Sequence, residues 1–318
     1  FEAGIFWGSR LEFNKEKGTY HINNVIGPDE YKEHINDDAF TNHMARWCME
    51  NAIHYYDQIL QKDAATFKRL NSKLNLKAEM GILEGLLNKI HRPQPDQDSI
   101  IPQNDSYMKK KIIDLSKYKN QEQVATIFKD YSIDQINEIQ VTKQASVVML
   151  LYLLEHKFTQ DIKLANFHFY EARTLHDSSL SLSTHAVLAS DVDEPDLAYR
   201  LFRNASEIDL GPNMKSSDEG IHAASLGGIW QIVACGFGGL RMVGGKLRID
   251  PSLPDQVKSV TYPVRWKGTP LEVNVSDGSV SVSNNGIETV EITVQGKEYS
   301  VKPGRWIQIT TSSTGNTL

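Results

Sequence analysis

The chain has 318 residues, of which 40% are hydrophobic and 23% charged, and its net charge is −6 at pH 7. This composition is typical of a globular protein and excludes a disordered one, and the length allows more than one domain. The acidic balance excludes the basic surface with which proteins bind nucleic acid. No apolar run reaches the roughly 18 residues of a membrane span, so we expect neither nucleic acid nor a membrane as a partner.

The chain contains two cysteines, Cys48 and Cys235, and both lie in apolar helical patterns. Scattered cysteines of this kind are typical of buried free thiols in a reducing compartment, so we expect a cytoplasmic protein. The first residues, 1–7, read as the middle of a helix. We therefore expect the chain to be the C-terminal part of a longer protein whose N-terminal portion is missing here.

Helical spacing dominates residues 1–240. Asp37 or Asp38 is placed to cap a helix whose apolar residues follow at a spacing of three to four. A connector rich in Pro, Asp and Gln over 92–107 is long enough to predict a functional loop. Further helices are predicted over 76–90, 124–131, 147–158, 161–171, 182–189, 196–205 and 220–235.

The pattern changes after a cluster of five glycines between Gly236 and Gly245. Period-two alternation follows, with turn sequences such as Asp277-Gly278 between the strands. We predict a mainly α chain with a domain over 1–240 and a small antiparallel β-sheet domain over 241–318. Periodicity alone does not separate a helical barrel from a helical bundle. The predicted strands are 247–249, 260–264, 271–275, 280–282 and 290–294.

The segment IGPDEY at 26–31 places two carboxylates after a rigid Gly-Pro turn. A carboxyl that protonates a glycosidic oxygen must keep its proton near neutral pH, and burial against an aromatic ring raises a pKa to that end. We expect Glu30 to be partly buried against Tyr31 or Trp7. The alternative is an ordinary surface turn, which is the better interpretation of this triplet in isolation.

Three other segments carry polar groups suited to sugars or anions. Lys143 and Gln144 offer donors and an acceptor for sugar hydroxyls, although two exposed residues at a helix start would look the same. Ser178 and Ser179 precede a helix, where hydroxyls and backbone amides bind anions or simply cap the helix. His222 lies at another helix start, and a lone histidine there is more often a satisfied core residue.

Together and in this order, the segments IGPDEY, TKQA, RTLHDSSLS and DEGIHAASLGGIW resemble glycoside hydrolase family 65, the maltose, kojibiose, nigerose and trehalose phosphorylases. The segment DDAFTNHMARW, which follows IGPDEY, is similar to the family as well. The resemblance covers residues 1–240 and extends more loosely through the β domain.

The resemblance implies part of an (α/α)6 barrel followed by a small β-sheet domain. In the family an N-terminal β-sandwich and the first barrel helices precede this portion, and they carry a Trp–Asp pair that grips the glucosyl unit. Residue by residue, Glu30 matches the general acid. Lys143 and Gln144 match the family's sugar-binding pair, and Ser178, Ser179 and His222 match its phosphate-binding part. One departure is Asn36-Asp37-Asp38, where the family has an asparagine-rich segment.

The implied reaction is the inverting phosphorolysis of an α-linked glucosyl disaccharide to β-glucose 1-phosphate and a free sugar. Phosphate is the nucleophile, so no base carboxylate is needed, and we expect the phosphate site to lie opposite Glu30 without a carboxylate in reach. We expect no metal and no cofactor besides inorganic phosphate as co-substrate. The resemblance also implies a homodimer.

Two alternatives stay open. The family also contains acid trehalases, so an inverting α-glucoside hydrolase is the first. The second is a carbohydrate-binding fragment without activity, since the first barrel helices are missing. The sequence does not identify the linkage or the acceptor sugar.

Overall fold

A computed structural model describes residues 1–119, 123–210 and 220–311. It contains a helical region followed by a β region, in the order that the sequence predicts. Across the described ranges, no helix combines the length and the apolar character needed to cross a bilayer.

The first part of the helical region is a helical layer beside a short hairpin. Its longest helix begins after Asp38, whose carboxylate accepts the backbone N–H of Thr41 at 2.8 Å, so Asp38 provides the predicted cap. Asp37 instead lies 2.6 Å from the ring of His21. The elements are α1 (Glu2–Ser9), β1 (Glu12–Asn14), β2 (Thr19–His21), α2 (Ala39–Lys62), α3 (Ala64–Leu74) and α4 (Leu76–Leu87).

The second part holds the larger helical core, to which α7, α8, α9 and α10 contribute most of the buried apolar residues. Its elements are α5 (Ser116–Lys119), α6 (Ile133–Asn137), α7 (Ser146–Leu153), α8 (Gln160–Glu171), α9 (Ser181–Asp191), α10 (Pro195–Ser206) and α11 (Ala223–Gln231). Short 3-10 turns occur at Tyr107–Lys109, Thr126–Lys129 and Glu155–Lys157, and a π-helical turn, Ile232–Phe237, continues α11.

Two helix predictions need correction. Residues 124–131 form one 3-10 turn, Thr126–Lys129, because a single turn suffices to bury Ile127 in a small apolar cluster. The helix predicted over 147–158 ends as α7 at Leu153 and is followed by a 3-10 turn.

Helices α9 and α11 pack in parallel. A Cβ built on Gly228 of α11 would lie 2.6 Å from the hydroxyl of Ser183 in α9. One built on Gly236, two turns later, would lie 3.1 Å from the hydroxyl of Ser190. The later residue of one helix thus contacts the later residue of the other. The two helices therefore run in the same direction, and α9 and α11 begin at the same end of the helical region.

The β region is formed by two four-stranded sheets that share one apolar core. The strands are β3 (Leu240–Val243), β4 (Lys246–Ile249), β5 (Ser259–Trp266), β6 (Thr269–Ser276), β7 (Ser279–Asn284), β8 (Val290–Val294), β9 (Lys297–Val301) and β10 (Trp306–Thr310). Their orders in the two sheets are β10-β7-β6-β5 and β3-β4-β8-β9. All neighbours are antiparallel except β4 and β8, which pair in parallel because the chain crosses from one sheet to the other between β7 and β8.

A buried ion-pair network joins the β region to the helices. Arg241 of β3 forms ion pairs with Asp191 at the end of α9 and with Glu155, at 3.3 Å from the latter. Arg248 of β4 lies 2.9 Å from the same Glu155 carboxylate, and Lys163 of α8 lies 3.6 Å from it. Charges buried in this way must be paired, so the network fixes how the β region docks.

Candidate active site

The segment that carries Glu30 is a tight loop closed at its base. Val25 and Ile35 exchange two backbone hydrogen bonds of 2.9 Å across it. Gly27 has φ +71°, and a Cβ there would lie 2.8 Å from the Asp38 carboxylate at the start of α2. The loop therefore needs glycine at this position both for its backbone conformation and for space.

Asp29 is the carboxylate that organises this loop. It is fully buried and accepts hydrogen bonds from the Gln103 side chain at 2.9 Å and from the backbone N–H of Lys143 at 2.9 Å. Burial raises the pKa of Asp29, and the nearby Lys32 ammonium opposes that rise. Lys32 is itself buried and donates to the carbonyls of Ile136 and Ile139 at 2.6 and 2.7 Å.

Glu30 points the other way, and the expectation that it is partly buried against an aromatic ring is wrong. Its side chain is 60% exposed and forms an ion pair with the Lys143 ammonium. The Tyr31 ring turns into the interior, and Trp7 packs in the separate cluster around α1, α2 and α4. Neighbouring side chains on this turn point to opposite sides, and Asp29 takes the buried one.

Lys143 and Gln144 lie directly against the Glu30 loop. Besides the ion pair with Glu30, the backbone N–H of Lys143 binds Asp29, and the Gln144 amide donates to the Pro28 carbonyl at 2.6 Å. Two of the predicted site segments, more than 110 residues apart in sequence, therefore form one surface.

The segment with Ser178 and Ser179 joins the same surface. Thr142, before Lys143, pairs with Thr174 in a parallel bridge, and their hydroxyls lie 2.8 Å apart. Further along, the Tyr31 hydroxyl donates to Asp177 at 2.6 Å. Ser178 and Ser179 follow in the turn that leads into α9, and the Ser178 hydroxyl accepts the backbone N–H of Leu180 at 3.3 Å.

A hydrogen-bonded cluster contacts the start of α9 next to this turn and consists of Glu171, His176 and His185. Each of the two rings contacts a different oxygen of Glu171, and the other nitrogen of His176 lies 2.9 Å from the Ser181 hydroxyl. Burial alone would raise the pKa of Glu171, but the hydrogen bonds from both histidines hold it well below its usual range. One atom from each residue lies within 4.8 Å of the others, as a metal site would require, but the direct hydrogen bonds already account for the arrangement.

His222 precedes α11 and is bound by a carboxylate. Its ring nitrogen Nδ1 lies 2.7 Å from Asp209, and its backbone N–H donates to the other oxygen at 3.0 Å. These hydrogen bonds lower the pKa of Asp209. The expectation of an anion site with no carboxylate in reach is therefore wrong at His222. The start of the family-like segment, Asp218 and Glu219, lies outside the described residues.

The predicted segments lie toward one end of the helical region. The Glu30 loop, the Lys143-Gln144 pair and the Ser178 turn are in contact there, whereas no hydrogen bond among the described residues joins His222 to them. Asp38 at the start of α2 lies beside Ser146 at the start of α7, and the pairing of Thr142 with Thr174 brings together the segments that lead into α7 and α9. The parallel packing of α9 and α11 places His222 at the same end. Helix N-termini carry partial positive charge and free N–H groups, so this end suits an anion.

Sequence reasoning overlooked several residues that build this surface. Asp177 and His176 stand inside the RTLHDSSLS segment but were passed over beside the serines. Gln103 lies in the 92–107 connector, whose length was the only signal for it. Nothing in the sequence pointed to Asp209 or Glu171, because each acquires its role through a histidine on another element.

Comparison with known proteins gives the following matches. Residues 1–231 match the Glycosyl hydrolase family 65 central catalytic domain, and residues 240–301 match the C-terminal domain of that family. A kojibiose phosphorylase of Halothermothrix orenii is 44% identical over 89% of this chain and 36% of that protein. An α,α-trehalose phosphorylase of Thermoanaerobacter brockii is 31% identical over 96% of this chain and 39% of that protein.

A solved structure from the human microbiome, named provisionally as a kojibiose phosphorylase, superposes with a TM-score of 0.86. It is 28% identical, and the match covers 99% of this chain and 45% of that one. The fold class is confirmed: part of an (α/α)6 barrel followed by a β domain. The chain spans less than two fifths of the length of the curated relatives named above.

Proposed function

The chain belongs to glycosyl hydrolase family 65, and from this we propose that it is the part of an inverting phosphorylase that carries the general acid and the phosphate site. The reaction is the phosphorolysis of an α-linked glucosyl disaccharide to β-glucose 1-phosphate and a free sugar. One observation supports this most: the Glu30 loop, the Lys143-Gln144 pair and the Ser178 turn, far apart in sequence, share one surface.

Glu30 is the proposed general acid. It donates its proton to the glycosidic oxygen while the bond from C1 to that oxygen breaks, and the free sugar leaves with the proton. The ion pair with Lys143 holds Glu30 as a carboxylate, so it has to open, and Glu30 has to take up a proton from solvent, when the disaccharide binds. Lys143 and Gln144 then donate to sugar hydroxyls, and the bound sugar covers the exposed Glu30 carboxyl and excludes water.

Phosphate is the proposed nucleophile, and one of its oxygens forms the new bond to C1 on the face opposite the leaving sugar. Inversion of an α-linkage in this way produces the β-phosphate. Ser178, Ser179 and His222 are the proposed phosphate-binding residues, helped by the N-termini of α9 and α11. Phosphate is already an anion and a nucleophile, so this reaction needs no base.

The disaccharide is best sought among the substrates named for the relatives. Proteins named kojibiose phosphorylase, from Halothermothrix orenii and Escherichia coli, are 44% and 37% identical to this chain. We propose kojibiose as the first substrate to test, with trehalose, nigerose and maltose beside it.

The test is phosphate-dependent turnover in the whole protein that contains this chain. Glu30→Gln keeps the size and polarity of the side chain but removes the proton donor. We expect turnover of the disaccharide to fall by about 10²–10⁴, with an unchanged unfolding temperature. Turnover close to that of the unsubstituted protein would show that Glu30 is not the acid.

A second function, inverting hydrolysis, is favoured by one observation. The Asp209 carboxylate lies at His222, at the end of the helical region where the nucleophile would bind. A carboxylate with a lowered pKa is ionised at neutral pH and is able to activate water. Turnover that proceeds equally without phosphate, and that is lost in Asp209→Asn, would identify the hydrolase.

A fragment that only binds sugar would show neither activity. Intact mass shows whether the chain is truncated. An activity assay beside a binding assay then shows whether it binds disaccharide without turnover, which neither enzyme would do.

A further inference from the structure

One side-chain hydrogen bond ties the Glu30 loop to the serine turn. Tyr31 directly follows Glu30, and its hydroxyl donates to Oδ2 of Asp177 at 2.6 Å. Asp177 directly precedes Ser178 and lies 146 residues further along the chain. The two residues of the bond are thus the immediate neighbours of the proposed acid and of the proposed phosphate-binding turn.

The bond is held firmly at both ends. The Tyr31 ring is buried in a cluster with Ile127 and Leu175 and meets Phe128 edge to face at 5.6 Å. The second oxygen of Asp177 accepts the backbone N–H of Ala125 at 2.8 Å, so the carboxylate has no room to rotate without losing a partner. Burial is the largest cause of the raised pKa of both Tyr31 and Asp177, so water competes little for this bond.

His176, the residue before Asp177, is anchored as well. His176, with φ +56°, lies 3.3 Å from Glu171 and 2.9 Å from the Ser181 hydroxyl. Ser178 and Ser179 therefore directly follow two anchored residues: His176 contacts α8 and α9, and Asp177 contacts the Glu30 loop. Of these two anchors, Asp177 alone connects the turn to the loop that carries the acid.

We propose that Tyr31 and Asp177 are positioning residues that fix the distance between the Glu30 carboxyl and the phosphate held at the Ser178–Ser179 turn. This inference rests on the proposed phosphorylase function. In an inverting displacement the acid and the nucleophile act on opposite sides of one carbon, so their separation has to match the substrate. A displacement of about 1 Å in such a geometry lowers the rate on the order of 10²-fold.

The test compares two tyrosines that make the same kind of bond. Tyr118 belongs to the same apolar cluster and donates to Asp130 at 2.6 Å, and within the described ranges it has no hydrogen bond to either site segment. Tyr31→Phe and Tyr118→Phe each remove one hydroxyl and keep the ring. In the whole protein, we expect Tyr31→Phe to lower kcat/KM for inorganic phosphate at least 10-fold, while KM for the disaccharide changes less than 2-fold. Tyr118→Phe should leave both unchanged.

The outcomes separate this inference from the function on which it rests. Turnover without phosphate in the unsubstituted protein overturns the phosphorylase itself. A phosphate-dependent protein in which Tyr31→Phe and Tyr118→Phe behave alike overturns the positioning role, as does an equal loss of phosphate and disaccharide affinity in Tyr31→Phe. If the role is correct, Asp177→Asn in the Tyr31→Phe background costs less than Asp177→Asn alone, because the bond is already gone.

Discussion

At the scale of single residues, the Glu30 loop depends on one glycine. Gly27 combines a left-handed backbone conformation with a position against the Asp38 carboxylate. Asp38 is buried, and its carboxylate accepts the backbone N–H and the hydroxyl of Thr41 at 2.8 Å each, so it cannot move aside without losing these hydrogen bonds. A side chain at position 27 would push the loop and the start of α2 apart.

We expect Gly27→Ala to lower turnover at least 100-fold, because the clash displaces Glu30 from its working geometry. The matched control is Gly18→Ala. Gly18 has nearly the same φ, +67°, but a Cβ there meets nothing within 4 Å. That variant carries the backbone strain alone, on the order of 1–2 kcal/mol, and should keep its activity. Kinetic constants and melting temperatures of both variants decide the matter, and equal activity in the two would show that the contact with Asp38 is unimportant.

The sequence could predict the segments that form the candidate site but not which of their side chains are buried and which are exposed. Asp29 and Glu30 are chemically alike and adjacent, and IGPDEY contains no signal for which of them is buried. The choice is made by Gln103 and by the backbone of Lys143, which are 74 and 114 residues away. Contacts over such separations come from tertiary packing, which local patterns do not encode.

At the scale of elements, Glu155 is the centre of the contact between the helices and the β domain. It lies in the 3-10 turn after α7, is almost fully buried, and binds Lys163 of α8, Arg241 of β3 and Arg248 of β4. Each of these cations has one further carboxylate partner: Asp191 for Arg241 and Lys163, and Asp250 for Arg248. Glu155 is the carboxylate that all three share.

We expect Glu155→Gln to destabilise the protein by about 1–3 kcal/mol, since a neutral amide replaces the buried carboxylate that three cations share and weakens their hydrogen bonds. The control is Glu298→Gln, which removes the partner of Lys246 on the outer face of the same β domain. That pair is 70% and 72% exposed, so its loss should cost no more than about 1 kcal/mol. Unfolding by urea, followed by far-ultraviolet circular dichroism, compares the two. Similar midpoints would mean that Glu155 does not hold the interface.

The elements themselves were predictable wherever periodicity extended over several turns or strands. The predictions over 161–171 and 182–189 correspond to α8 and α9. Strand β9 was not predicted, since its sequence KEYSV buries only Val301 and shows no alternation. Local sequence patterns cannot predict the pairing of β4 with β8, because it depends on where the chain crosses from one sheet to the other.

At the scale of the whole molecule, the protein buries imidazole groups in its helical region. His43 of α2 donates through Nε2 to the Pro93 carbonyl at 3.0 Å, in the connector that the sequence marked as a functional loop. Burial is the main reason that the pKa of His43 falls to about 4, and the hydrogen bond to Pro93 only partly opposes it. His185 of α9 is buried too, and burial also lowers its pKa.

These lowered pKa values make stability fall with acid. A histidine in the unfolded chain takes up a proton near pH 6.5, whereas folded His43 does so only near pH 4, so the unfolded state binds more protons between these values. Stability from this group is complete above pH 6.5 and is lost as the pH falls toward 4. Between pH 7.5 and pH 5.0 the loss from His43 amounts to about 2 kcal/mol.

We expect His43→Gln to remove that part of the pH dependence, because its amide can still donate to the Pro93 carbonyl but does not titrate. The control is His54→Gln, which changes an exposed imidazole on the same helix and should leave the pH dependence as it is. Urea unfolding free energies at pH 7.5 and 5.0 provide the measurement for all three proteins. The buried imidazole is the cause only if the difference between the two pH values shrinks in His43→Gln and not in His54→Gln.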